Sequence, residues 1–160
     1  MITRANIIIK DSQEQLFFYR HSDGYPEGVL PALKKFMSWV KEKRIRNNVG
    51  QAAGWLILIG AKEYESVYIG DGKHELKPTL TEPSTIDRFS GWQCGAYEPT
   101  TGIHGNIEYL YTLDIVKLII IVQAVIGTGK YKTIETIKDF SETPKEEPKL
   151  TDDPNELEIV

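Results

Sequence analysis

The chain lacks the features that mark secreted and membrane proteins. Cys94 is the only cysteine among 160 residues, so no internal disulfide can form and a reducing compartment suits the protein. The most apolar run, Leu118–Val122, is bounded by Lys117 and Gln123 and falls far short of the roughly 20 residues that cross a bilayer. The first residues also lack the basic start and longer apolar stretch of a signal peptide. These absences predict a cytoplasmic protein without a membrane partner.

Positive charge is not gathered into a long run either. The net charge is −4, yet the segment 138–160 holds three lysines and eight acidic residues, whereas the rest holds 16 basic and 15 acidic residues. The densest basic stretch, 41–46, falls at the end of a predicted helix, where cations interact favourably with the helix dipole. The sequence therefore does not favour nucleic acid as a partner.

Composition divides the chain into a body and a tail. Residues 1–137 have the mixture of apolar and charged residues that is typical of a single globular domain. The segment 138–160 has three prolines, many carboxylates and few apolar anchors, which are Leu150, Leu157, Ile159 and Val160. Such a segment buries too little surface to offset the entropy of ordering it. We expect an acidic, flexible tail that is dispensable for folding.

Apolar periodicity predicts the elements of the body. Two helices are predicted, from Pro31 to about Arg44 and from Val49 to about Glu63, the second capped by Asn47 or Asn48. The second is apolar nearly all round, which suits a buried helix, although its end could equally be a strand. The predicted strands are Ala5–Lys10, Leu16–Arg20, Trp92–Tyr97, Asn106–Asp114 and Val116–Ile126. The segment 65–90 is predicted to be an extended connection. This order indicates an α+β fold, an antiparallel sheet of about five strands with two helices packed on one side.

Two stretches of the chain have distinctive amino-acid sequences. The first is Thr3–Ile7 followed by Tyr19–Gly28, and the second is Gly95–Tyr111. Together they cover about a third of the chain and resemble a family of small proteins, without an assigned activity, from phages, prophages and bacteria. The resemblance implies a mobile-element origin and, with it, interference with a defence or another component of the host cell cytoplasm. It implies no catalytic residue and no cofactor.

The same stretches concentrate side chains suited to anion binding. A rigid sheet can aim the loop that follows a strand, and Arg, His, Tyr and Asn side chains bind phosphate oxygens. We therefore predict a ligand site for a small anionic or nucleotide-like molecule, drawn from Arg4, Asn6, Arg20, His21, Asp23, Tyr25, His104 and Glu108. The competing interpretation is structural: turn chemistry at Asp23-Gly24 and Tyr25-Pro26, Tyr25 as a core aromatic, and an ion pair of Arg20 with Glu27.

Three classes of function follow from these residues. The leading hypothesis is a non-enzymatic binding protein that captures a nucleotide-like anionic ligand or a host protein. An alternative is a small hydrolase or phosphodiesterase using His21, Asp23 and His104, either around a general base or as metal ligands. The chain has no zinc signature, nucleophile elbow or paired carboxylates that would support an enzyme, and no metal site is predicted.

The third class is a structural, self-associating domain. Four aromatic residues on predicted strands, Trp92, Tyr97, Tyr109 and Tyr111, would offer apolar surface if those strands lay at a sheet edge. A homo-oligomer is expected on this basis.

Overall fold

The structure is a computed structural model that describes residues 2–63, 66–70, 72–76 and 95–141. Two helices, α1 (Pro26–Lys41) and α2 (Val49–Glu63), follow an N-terminal strand pair. In chain order the strands are β1 (Ala5–Lys10), β2 (Gln15–Arg20), β3 (Ser66–Gly70), β4 (Lys73–Leu76), β5 (Glu98–Thr100), β6 (Tyr109–Asp114), β7 (Ile119–Gly127) and β8 (Lys130–Ile137). The prediction of an α+β fold is confirmed. No helix in these described ranges is long and apolar enough to span a bilayer.

The main sheet has six strands rather than about five. Its spatial order is β5-β2-β1-β6-β7-β8, and β3 pairs with β4 in a separate two-stranded sheet. The pairs are antiparallel, as predicted, except that β1 and β6 run parallel. The sheet is therefore mostly antiparallel, with one parallel pair that was not predicted. The parallel pair is possible because a long connection, which includes both helices, returns the chain to the end at which β1 begins.

Both helices pack on one face of the sheet, as predicted. Strand alternation directs one set of side chains from the sheet into this core: Ala5, Ile7, Ile9, Phe18, Tyr111, Leu113, Ile120 and Val122. Helix α1 meets them with a stripe at three- and four-residue spacing: Val29, Leu30, Leu33, Phe36, Met37 and Val40. The opposite face of the sheet carries a smaller apolar cluster of Ile8, Ile107 and Leu110.

The ends of the helices follow local chemistry. Helix α1 begins at Pro26, five residues before the predicted start, because the fixed φ of proline suits the first turn. It ends three residues early in a Schellman motif, in which Lys43 has a φ of 62° and the Arg44 amide donates to the Trp39 carbonyl at 2.8 Å. Helix α2 has the predicted bounds, and the Asn48 Oδ1 accepts from the amide of Gln51 at 2.8 Å, as a capping residue does.

Other predictions at the level of elements were wrong or fall outside the described residues. Residues 95–97 form no strand, β5 lies just after them, and the rest of the predicted strand 92–97 is outside the described ranges. The segment 65–90 contains the β3–β4 hairpin rather than only an extended connection. Strand β8 was not predicted, because seven of its eight residues lie outside the core and leave no apolar alternation. The ordered body continues past 137, since Phe140 is buried in the core.

Candidate functional site

Arg20 is a structural residue on the helix side of the sheet. Its side chain is 2% exposed, and its guanidinium donates to both carboxylate oxygens of Glu63, at 3.1 and 2.6 Å. The Nε also donates to the Ser22 carbonyl at 2.7 Å, and the guanidinium carbon lies 5.2 Å from the centre of the Tyr97 ring. The predicted partner Glu27 was therefore wrong. The structural interpretation of Arg20 is supported, because this fork of hydrogen bonds is already occupied by the end of α2.

The loop after β2 is shaped by the packing of its backbone. A Cβ on Gly24 would lie 2.8 Å from the Cβ of Ala5, and the Gly24 carbonyl accepts from the Tyr111 hydroxyl at 2.7 Å. Asp23 is exposed and has a φ of 56°, a conformation that Asp tolerates in turns. Tyr25 precedes α1 and is 38% exposed, so it is not a core aromatic. The distinctive sequence of this loop is thus largely explained by the turn that the loop forms.

Asn6, Arg4 and Glu108 fasten the second distinctive stretch to the sheet. The fully buried Asn6 donates to the Phe18 carbonyl at 2.8 Å and accepts from the His104 amide at 2.8 Å. Arg4 and Glu108 pair through their backbones, and the Glu108 carboxylate accepts from the Arg4 amide at 2.8 Å. The buried Nε of Arg4 has no hydrogen-bond partner among the residues that the structure describes.

His21 and His104 come together on the open face of the sheet. Both contact Tyr19: the His104 ring stacks on it with centroids 4.0 Å apart and planes 11° apart, and the His21 Nδ1 lies 3.1 Å from its hydroxyl. The His104 Nε2 also lies 3.1 Å from the Thr100 hydroxyl. Because Tyr19 and Arg20 are adjacent on one strand, they point to opposite faces. The structure therefore does not place Arg20 in one pocket with His21 and His104.

This histidine–tyrosine cluster offers limited chemistry. Within the described ranges, no three His, Cys, Asp or Glu side chains are grouped so that they could hold a metal ion. The alternative that uses His21, Asp23 and His104 as a metal-ligating set thus has no geometry to support it. Capture of a small anionic ligand stays a prediction, with His21, His104 and Tyr19 as the side chains that remain for it.

A second surface, which the sequence prediction missed, lies between the two helices. A groove with a volume of about 270 Å³ is lined by Lys35, Trp39, Trp55, Leu58, Ile59 and Lys62, and we call it the tryptophan groove. A smaller hollow of about 80 Å³ continues it past the same two tryptophans to Arg44 and Ile45. Trp55 is 41% exposed and Leu58 is 56% exposed, although the sequence of α2 suits a buried helix.

The tryptophan groove combines an aromatic floor with a positively charged rim. The rings of Trp39 and Trp55 meet edge to face with centroids 6.2 Å apart. The Lys35 amine and the Arg44 guanidinium lie 5.8 and 5.5 Å from the Trp39 ring, within the range of cation–π attraction. No described carboxylate lines the groove, although Glu42 approaches Arg44 to 3.6 Å on the surface.

A signal for this groove was present in the sequence. Helix α2 buries only one side, through Val49, Ala52, Ala53, Leu56 and Gly60, while Trp55 and Leu58 face away from that side. A helix that is apolar all round but lies on the surface leaves one apolar side without a partner. The basic stretch after α1 was attributed to the helix dipole, yet Arg44 contributes to the rim of the groove.

Comparisons with protein-family models, with curated proteins and with solved structures gave no match to this chain.

Proposed function

We propose that the chain is a non-enzymatic binding protein whose tryptophan groove takes an acidic, amphipathic segment of a partner protein. The observation that carries this proposal is the exposed pair Trp55 and Leu58 beside Trp39, under a rim of three cations. Tryptophan and arginine are the residues that contribute most to binding energy at protein interfaces, whereas isolated exposed tryptophans are uncommon.

The exposure of the groove favours a peptide segment over an enclosed small molecule. Its lining residues Trp55 and Leu58 are 41% and 56% exposed, whereas small-molecule sites bury most of the surface of their ligand. A few apolar side chains from one helix or extended segment would fill it, while the rest of that segment stays on the surface. Amphipathic segments bind grooves between helices in this way, through apolar residues spaced along one side.

The charge of the rim selects the chemistry of the partner. Lys35, Arg44 and Lys62 line the groove and its extension without a described carboxylate among the lining residues. Carboxylates that flank the apolar residues of a bound segment would therefore meet complementary charge, which accelerates association and disfavours basic segments. The resemblance to proteins of mobile elements makes a host protein the candidate source of such a segment.

A pair of synthetic peptides tests this proposal on the full chain. The first is a 16-residue helix with leucine at helical spacing and glutamate elsewhere, and the second has lysine in place of each glutamate. Fluorescence anisotropy of labelled peptide should show saturable binding of the acidic peptide only, weakening as salt is raised because exposed charges are screened. In the double variant Leu157→Ser, Ile159→Ser, whose acidic terminus keeps its carboxylates but not its apolar side chains, Leu58→Ser should weaken binding about fivefold. About half of a leucine side chain's burial energy of roughly 1.5–3 kcal/mol is then lost.

The matched control is Ile134→Ser. Ile134 is 49% exposed and lies on β8, away from the groove, so its loss should leave peptide binding unchanged. Equal binding of the two peptides, or an equal effect of Leu58→Ser and Ile134→Ser, would contradict the proposed function.

A further inference from the structure

The end of the chain leaves the body beside α1. Phe140 is 5% exposed in the core, and Asp139 next to it is exposed. Hydrogen bonds from Ser141 lower the pKa of the Asp139 carboxyl, and the positive charges of Lys41 and Lys34 on α1 lower it further. The last described residues therefore lie near Lys34 and Lys41. These lysines are on the opposite side of the buried stripe of α1 from Lys35 and Trp39, so the chain must cross α1 to reach the tryptophan groove.

The segment that follows is long enough to reach any part of that groove. Residues 142–160 span at most about 60 Å when extended, since each residue adds about 3.3 Å. Helix α1 has 16 residues and is about 24 Å long, at 1.5 Å per residue. Even a compact conformation of the segment could lie along the groove.

The chemistry of the segment matches that of the groove. Residues 142–160 contain seven acidic residues and two lysines, and they end in Glu156-Leu157-Glu158-Ile159-Val160, in which carboxylates and apolar side chains alternate. The groove presents the converse arrangement, an apolar floor of Trp39, Trp55 and Leu58 under cations. Lys34 and Lys41 add positive charge along the path from Ser141. The chain thus carries, on its own terminus, the class of segment that the groove fits.

We propose that the terminal segment 142–160 binds the tryptophan groove of the same molecule and competes there with the partner segment. The competition rests on the proposed function, whereas the intramolecular contact itself does not. Under this proposal the tail is not the dispensable, solvated segment that its composition predicts, but a built-in regulator of access to the groove.

Tethering makes even a weak contact effective. A linker of this length gives an effective concentration of about 1 mM. If the untethered segment bound with a dissociation constant of about 0.1 mM, the groove would be free in about one molecule in eleven. A tail that cannot bind should therefore raise the affinity for the acidic peptide about tenfold.

Carbodiimide cross-linking of the full chain tests the contact directly, since this reagent joins amines to carboxylates only when the two are in contact. We expect Lys35 or Lys62 to be joined to carboxylates of residues 152–160, and mixing of ¹⁴N- and ¹⁵N-labelled protein should show that the joined groups belong to one molecule. Lys132 on β8 is also exposed and is the internal control, for which few products are expected.

A double variant, Leu157→Ser with Ile159→Ser, separates groove binding from nonspecific attraction between charges. It keeps every carboxylate but removes the apolar anchors, so the products at Lys35 and Lys62 should be lost and the acidic peptide should bind about tenfold more tightly. Products that persist in this variant, or that spread equally to Lys132, would overturn the tail contact. Failure of the acidic peptide to bind either form would overturn the proposed function alone, and the tail contact would stand on its cross-links.

Discussion

The pair of Arg20 and Glu63 allows a direct test of whether the loop after β2 is a binding site or part of the scaffold. Replacing Arg20 by Met keeps much of the apolar stem but removes two hydrogen bonds to Glu63 and one to the Ser22 carbonyl. Breaking a buried ion pair by removing one partner costs about 3–5 kcal/mol, because the other charge is left without compensation. Glu63 is 35% exposed and can be hydrated again, so the low end of that range, about 3 kcal/mol, is expected here.

Thermal and urea unfolding of the full chain measure this cost. For a chain of this size each kcal/mol shifts the melting temperature by about 2–4 °C, so Arg20→Met should lower it by about 6–12 °C. Arg44→Met is the matched control, because Arg44 and Glu42 form a surface pair at 3.6 Å with side chains 63% and 57% exposed. Such pairs contribute about 0–1 kcal/mol, so the control should melt within a few degrees of the parent protein.

The two interpretations of Arg20 differ in the size of the expected decrease in melting temperature. A ligand-binding arginine would be lost without a large change in melting temperature, and an anion such as phosphate or adenosine monophosphate would then bind less well. A melting temperature for Arg20→Met within 2–3 °C of the parent, matching Arg44→Met, would refute the structural reasoning.

Two further predictions concern packing and the alkaline limit of stability. Gly60→Ala should destabilise the fold by about 1–3 kcal/mol, because its Cβ would lie 2.7 Å from the Tyr97 ring. Gly54→Ala in the same helix has no atom within 4 Å and should stabilise it by about 0.5–1 kcal/mol, so equal effects in urea unfolding would contradict the described contact. Burial raises the pKa of the Tyr111 hydroxyl, and nearby tyrosines and Glu27 raise it further. Its contribution is thus complete below the unfolded pKa of about 10 and declines by up to about 1.4 kcal/mol per pH unit above it. Tyr111→Phe should lose about 1 kcal/mol at neutral pH, through the bond to Gly24, yet show a shallower alkaline decline; the same slope in both proteins would argue against this origin.

Much of the fold was predictable because periodicity reflects burial. The stripe of α1, the cap of α2 at Asn48 and the strands β1, β2, β6 and β7 all have patterns that survive without tertiary information. Strand β8 does not, because an edge strand with one buried residue, Ile137, has no apolar alternation to detect. The parallel pairing of β1 with β6 depends on the path of a long connection, which local patterns do not encode.

The candidate site was less predictable because residue types that bind anions also build scaffolds. Arg20 and Asn6 have the chemistry of ligand-binding residues, and both use it to hold elements of this chain together. Whether such a residue binds a ligand or holds the scaffold together depends on the group that it pairs with. For Arg20 that group is Glu63, which lies 43 positions away in sequence. Two of the four aromatic residues on which self-association was predicted, Tyr97 and Tyr111, are fully buried and offer no surface for it. A third, Trp92, lies outside the described ranges.

The distribution of constraints indicates where function is to be sought. In the two distinctive stretches, Gly24, Asn6 and Tyr111 make hydrogen bonds and close contacts within the fold. The presence of these residues is therefore explained by packing. Trp55 and Leu58 are 41% and 56% exposed, and together with Trp39 they form one apolar patch rather than single exposed residues. A patch of this kind is best explained by something else that covers it, and the cations around it indicate that this cover is acidic. The cross-linking and peptide experiments therefore address the part of the surface that the requirements of folding leave unexplained.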